Sequence, residues 1–181
     1  MDKITLDRIA TLHPKIRQKV LDAYTHVNNK LLGKGVRLRF AYTTRTNEEQ
    51  DELYAQGRTK LYDSNGKRLG RVTQAKGGQS IHNYHLAFDI VLLLDKDGDG
   101  KFESATYEML DFDKDGKADW LEVVEYFKSL GFTWGGDWEF KDKPHFEMTF
   151  GHTWRTLKQT IDSGKTIVEI INNKTYVYAR I

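Results

Sequence analysis

The chain of 181 residues contains no cysteine. That excludes disulfides, thiolate zinc sites and cysteine nucleophiles together, and leaves histidine and carboxylates as the only strong ligands for a metal. It says nothing of redox compartment, since a cysteine-free chain survives in either. Long apolar runs are also missing. The longest, Ile90 to Leu94, is far short of the ~20 residues needed to span a bilayer, so no membrane insertion is expected. The opening stretch, MDKITLDRIATLHPKIRQKV, carries charges throughout and has no apolar segment of signal-peptide length. The expectation is a chain made in the cytoplasm with no visible export signal. Excess charge of one sign is absent too. A net charge of +2 gives no support to nucleic-acid binding, although a pI near 8.6 is compatible with an anionic surface.

What is present fits a soluble globular domain: 30% charged and 39% hydrophobic residues, with no internal repeat, linker or low-complexity tail. Residues 14–32 place Ile16, Val20, Leu21, Tyr24, Val27 and Leu31 at helical spacing behind a proline suited to a first turn. Residues 36–44 alternate as a strand, with Val36, Leu38 and Phe40 on one face. Thr46 and Glu49 form a capping box for a helix that closes at Gly57. Residues 61–80 are polar and glycine-rich, and Asn65-Gly66 suggests a hairpin. Residues 86–94 read as a strand, 119–131 as an amphipathic helix and 144–150 as another strand. The C-terminal part holds a helix, then a hairpin about Asn172-Asn173. Mixed elements with hairpin connections predict an α+β fold, a small antiparallel sheet flanked by helices.

One strand is chemically odd. In GGQSIHNYHLAFDIVLLL, Asp89 interrupts an apolar run, and His82 and His85 stand just before it. A charge there is costly unless paired. Seven positions apart on one continuous strand, His82 and Asp89 would face opposite ways, so His82 belongs to the loop before the strand. A third ligand is offered by His145, in FKDKPHFEMTF. There Phe146, Met148 and Phe150 are expected on the core face, opposite His145, Glu147 and Thr149. Two histidines and one aspartate leave a fourth zinc position for water, the catalytic pattern, and Asp142 lies near enough to act as a base. The plainer alternative is a core or surface histidine beside an aspartate that pairs with arginine or caps a turn.

The motifs SIHNYHLAFD and KDKPHFE resemble the two zinc motifs of the M15 peptidases, Ser-x-His-x-x-Gly-x-Ala-x-Asp and Asp-x-x-His. TTRTNEEQDELYAQGRT and WGGDW are similar to adjoining segments of the phage-lysin branch, so the resemblance covers residues 36–150. It implies a Hedgehog/D-Ala-D-Ala metallopeptidase-like fold, Zn²⁺ held by His82, Asp89 and His145, and Asp142 as the catalytic carboxylate. It implies further that Arg45 stabilises the oxyanion and that Ser80 hydrogen-bonds near the site. Where the family has glycine, this chain has His85, which must either adopt a glycine-like backbone, mark a changed loop, or compete as a ligand. His85 and Glu147 are thus substrate-side or supporting candidates.

A second metal is written in DFDKDGKADWLE, which fits D-x-[DN]-x-[DN]-G-x5-E without a gap. Asp111, Asp113 and Asp115 would give oxygens to Ca²⁺, Lys117 a carbonyl, Asp119 a water-mediated contact and Glu122 a bidentate carboxylate, with Gly116 at the sharp turn. The preceding SATYEML is too short for an entering helix, so the unit is EF-hand-like. Asp95, Asp97 and Asp99, with Glu103, begin the same pattern and suggest a weaker or shared calcium site.

The expected function is a calcium-regulated zinc peptidase that cuts the L-Ala–D-Glu bond of peptidoglycan stem peptides, as phage endolysins do. The alternatives are a D,D-carboxypeptidase and a non-catalytic Zn/Ca-binding module. The catalytic domain is expected over 1–150 with an extension over 151–181, acting as a monomer on the wall after release by lysis.

Overall fold

The computed structural model describes residues 2–181. In chain order its elements are α1 (Lys3–Ala10), α2 (Pro14–His26) running into a π-helical turn (Val27–Leu31), β1 (Val36–Tyr42), α3 (Asn47–Ala55) and a 3₁₀ turn (Ile81–Tyr84). There follow β2 (Ala87–Leu94), β3 (Ser104–Thr106), α4 (Asp119–Ser129), β4 (Thr133–Trp134), β5 (His145–Glu147), α5 (Trp154–Asp162), β6 (Thr166–Ile171) and β7 (Lys174–Ala179). The chain divides into two compact units. One comprises the residues up to Thr43 with Ala87–Met148, the other Thr44–Leu86 with Thr149–Ile181.

The first unit is an antiparallel sheet, β1-β2-β5-β4, with β3 also on β2. Alternation in β1 buries Val36, Leu38 and Phe40 and turns Arg37 and Arg39 outward, as the period-two pattern requires. Strand β2 is paired on both sides and is buried at every position but Asp89. Phe88 is the hub of the core: its ring lies 4.7 Å from Phe40, 5.2 Å from Phe127 and 5.6 Å from Phe146. Helix α4 buries Trp120, Val123 and Phe127 completely. The segment before the acidic loop is strand β3, and α4 begins at Asp119 as the pattern predicts.

In the second unit the capping box of α3 forms at both ends, Thr46 Oγ1 accepting from Glu49 N and Glu49 Oε2 from Thr46 N. The C-terminal hairpin turns through Asn172 and Asn173, both left-handed at φ 50° and 62°, the conformation a two-residue turn demands.

One element was not foreseen, and two expectations need correction. Helix α1 has no counterpart in the periodicity reading, because its eight residues bury only Thr5 and Ile9. The hairpin expected at Asn65-Gly66 is a single bridge, Tyr62 to Arg68, its turn held by Asp63 accepting from Asn65 N and Lys67 N. A run this polar has no apolar face to secure a longer ladder. Strand β5 ends at Glu147. Phe146 and Met148 are buried as expected, but Phe150 is left-handed at φ 53° and 42% exposed, so the alternation fails before it reaches that residue.

Phe88→Ala should remove about 3–5 kcal/mol of stability, the usual cost of emptying a fully buried phenylalanine site. Urea unfolding with an unchanged m-value would measure it.

Candidate metal centre

The register of the first unit sets Asp89 directly opposite His145 across β2 and β5, with Phe88 opposite Phe146. Because side chains alternate, the aromatic pair points into the core while Asp89 and His145 share the other face. Asp89 also sits beside Tyr42, just where β1 carries a bulge between Phe40 and Tyr42. Such a bulge re-aims side chains at the place where regular pairing stops.

The His145 ring is 6% exposed and is held on both nitrogens, Nδ1 3.2 Å from Asp89 Oδ1 and Nε2 3.0 Å from Glu147 Oε2. Burial opposes a charged ring, but the hydrogen bonds and charges of Asp89 and Glu147 outweigh it and raise its pKa to about 9. Two carboxylates have therefore made this pocket favourable to positive charge. A neutral imidazole and a carboxylate are also a donor set that zinc accepts, and Glu147 on the second nitrogen would fix the ring's orientation.

The turn that leads into His145 is built on the WGGDW segment. Asp142 N donates to Gly135 O at 2.9 Å, and His145 N to Asp142 O at 3.1 Å. A Cβ on Gly135 would fall 2.5 Å from Asp142 O and 3.1 Å from the Cβ atoms of Asp142 and His145, so only glycine permits this approach. Trp134 folds over Gly136 and donates from Nε1 to Lys143 O at 2.6 Å, while the Trp138 ring lies 5.0 Å from that of His145. Asp142 itself is an exposed residue at the mouth of this turn.

In the second unit, Ser80 is the N-cap of the 3₁₀ turn that carries His82, accepting from His82 N at 3.4 Å. His82 is 3% exposed. Its carbonyl accepts from Arg45 N at 3.3 Å, which ties the first motif to the segment before α3. Arg45 Nη1 donates to Gln50 Oε1 at 2.8 Å, and Gln50, fully buried, donates in turn to Ala75 O. Asn83 completes the frame: Oδ1 accepts from Gly78 N and Ser80 N, and Nδ2 donates to Arg45 O and Thr46 O. Sequence reasoning missed both amides. Asn83 stands three residues after Ser80, a capping-box spacing that signals a turn, and Gln50 is a polar residue facing inward from a helix.

His85 resolves the question raised by its departure from the motif. It adopts φ 63° and ψ 20°, the left-handed conformation a glycine would take. Thr44 Oγ1 lies 2.9 Å from its Nδ1, and its ring meets Tyr178 edge-on at 4.7 Å. The strain is thus held by a hydrogen bond and an aromatic contact.

Asp89 and His145 are candidate ligands that the first unit itself brings together, and His82 is the candidate that the second unit carries, on its 3₁₀ turn. The acidic loop contributes two overlapping groups, Asp111/Asp113/Asp115 and Asp113/Asp119/Glu122, and Asp95/Asp97/Asp99 makes a further one.

Comparison with known proteins places the chain in a family. The sequence model of the M15_4 peptidase family, described as D-alanyl-D-alanine carboxypeptidase, matches residues 73–148. The peptidoglycan L-alanyl-D-glutamate endopeptidase CwlK of Bacillus subtilis is 46% identical over 139 residues, 76% of this chain and 73% of that protein. Among solved structures, the L-Ala D-Glu endopeptidase ChiX of Serratia marcescens superposes with a TM-score of 0.52 at 18% identity, over 83% of this chain and 90% of that one, a likeness of fold. A family match that contains His82, Asp89, Asp142 and His145, with a relative this similar over most of both lengths, places the chain among the M15 peptidases, a family of zinc-dependent metallopeptidases.

Proposed function

We propose that the chain is a zinc-dependent peptidoglycan hydrolase that cleaves the L-Ala–D-Glu bond of stem peptides. The observation that carries this reading is the 46% identity over 139 residues to an endopeptidase of that name, beside a family match over 73–148 that contains His82, Asp89, Asp142 and His145. His82, Asp89 and His145 hold the zinc. When bound, zinc supplies Lewis acidity toward a carbonyl oxygen and lowers the pKa of water to near neutrality.

The chain's own groups supply the rest. Asp142 takes the proton from the attacking water and returns it to the leaving amine; its backbone is fixed by Gly135, so the carboxylate swings on a short and anchored tether. Arg45 stabilises the developing oxyanion. Its guanidinium is braced by Gln50, which limits the freedom it would otherwise lose on binding substrate. Ser80 and His85 keep the His82 turn in shape, and Glu147 orients His145. The same reading takes the protein as an endolysin-like monomer that meets the wall on lysis, with activity tuned by Ca²⁺ on the loop 111–122.

The family description favours one rival, removal of a terminal D-Ala. Mass spectrometry of purified muropeptides separates the two. Endopeptidase action leaves L-Ala on the muramic acid and frees a peptide with N-terminal D-Glu, whereas loss of a single terminal D-Ala would overturn the assignment.

Replacing His82, Asp89 or His145 by Ala should abolish stoichiometric zinc, and His85→Ala should retain it; metal analysis after gel filtration reads both. Loss of zinc in His85→Ala with retention in Asp89→Ala would reverse the ligand set.

Asp142→Asn preserves shape and removes the base. Zinc content should stay near one while turnover falls by ~10²–10⁴-fold. Near-normal turnover would pass the role to Glu147.

A further inference from the structure

A polar anomaly unconnected with the zinc ligands lies at the start of α4. Asp119 is 1% exposed; its Oδ2 accepts from Phe112 N at 2.7 Å, but Oδ1 is buried with no hydrogen-bond partner. One turn on, Glu122 Oε2 is in the same condition. These are the only carboxylate oxygens so placed among the described residues. Burial, with the neighbouring carboxylates, raises the pKa of both groups. No side chain caps this helix, since Ala118 holds the N-cap.

Both residues stand among other carboxylates. Asp119 and Glu122 each bring an oxygen within 4.8 Å of one on Asp113, which also belongs to the group with Asp111 and Asp115. All the donors are hard oxygens, which suits Ca²⁺ and excludes soft-metal chemistry. The loop is already wrapped as such an ion needs. Asp111 accepts from Asp115 N and Gly116 N, both at 3.1 Å, and Gly116 turns at φ 97°. The first acidic loop lacks the decisive feature. Asp95 gives its two oxygens to Gly98 N and Gly100 N, Asp99 pairs with Lys101, and no buried oxygen there wants a donor.

We propose that Asp111, Asp113, Asp115, Asp119 and Glu122 bind one Ca²⁺ at the head of α4, Asp119 directly and not through water, and that this ion firms the helix backing the Asp89–His145 pair. The second half of the proposal rests on the zinc-peptidase reading. The route is short and packed. Trp120, Val123 and Phe127 of α4 are fully buried, and the Phe127 ring lies 5.2 Å from both Phe88 and Phe146. Phe88 precedes Asp89 and Phe146 follows His145, so a helix held at its first turn holds the strand register that brings the two ligands together.

The test uses full-length protein stripped by chelation, with Ca²⁺ and luminescent Tb³⁺ as probes. Trp120, next to Asp119, should sensitise terbium emission, and Ca²⁺ should quench it by displacement. Calcium at a hundredfold excess over its dissociation constant should raise Tm by about 5–10 °C in zinc-free protein. It should also tighten zinc binding, measured by competition with a chromophoric chelator, by about 5–150-fold. Asp119→Asn and Glu122→Gln should each lose the emission and the Tm rise, while Asp137→Asn, an exposed change, keeps them. Absence of both responses in the parent protein overturns the site. A Tm rise with unchanged zinc affinity overturns the coupling. If no zinc binds under any condition, the peptidase reading and the coupling fall together, and the Tm rise alone upholds the calcium site.

Discussion

The cross-strand pairing of Asp89 with His145 is the constraint on which the candidate centre depends. A buried carboxylate and a buried imidazole are each expensive alone, and removal of either partner typically costs 3–5 kcal/mol because the other is stranded. The pair exists only while β2 and β5 keep their register, and a slip of one residue would send Asp89 into the core and Phe88 to the polar face. What prevents the slip is the aromatic cluster on the opposite side. Phe88 and Phe146 stack at 5.6 Å, and any other register would unpack them from Phe127 and Phe132. The polar chemistry on one face is therefore secured by hydrophobic packing on the other.

The same logic explains two features that look unrelated. The bulge in β1 ends regular pairing opposite Asp89, which leaves that carboxylate partly exposed where its neighbours in β2 are sealed. The close approach of Gly135 to Asp142 and His145 fixes the other strand's entry. One device opens the face of the sheet and the other delivers a carboxylate to its edge. Both restrict where those carboxylates can stand.

Much of this was legible in the sequence, and the reason is physical. Strand β1, the capping box of α3, strand β2 and the Asn172-Asn173 hairpin are specified by local rules of alternation, side-chain capping and left-handed turns, each complete within a few residues. Asp89 was visible as a charge in an apolar run that required a partner and His145 as a candidate co-ligand, but their direct cross-strand register was not. What stayed hidden depends on distant chain. Helix α1 buries too little to declare itself, and Asp2 at its head is bound by Arg39 from a strand far along the sequence. Gln50 and Asn83 reveal their role only when the backbone groups they satisfy are known. Phe150 continued a pattern that the strand had already abandoned at Glu147.

The near-neutral net charge conceals a strong local imbalance, and that imbalance bears on function. Residues 87–148 hold sixteen acidic and seven basic side chains, while the chain as a whole is at +2. Surface carboxylates alone would tolerate this, since water and salt screen them. Here Asp89, Glu147, Asp119 and Glu122 are partly or wholly withdrawn from solvent, the first two beside a histidine whose pKa rises to about 9 and the others in a cluster of acids. In the first place the imidazole answers both carboxylates by hydrogen bonds from its two nitrogens. In the second the one nearby cation is Lys117, 3.9 Å from Glu122 and itself mostly in solvent. The fold thus concentrates acid around a single aromatic core and leaves buried oxygens of Asp119 and Glu122 unanswered by its own side chains. The histidine pair and the helix that follows the acidic loop meet at that core, where Phe88, Phe127 and Phe146 pack together, so one rigid packing of β2, β5 and α4 carries both concentrations of charge.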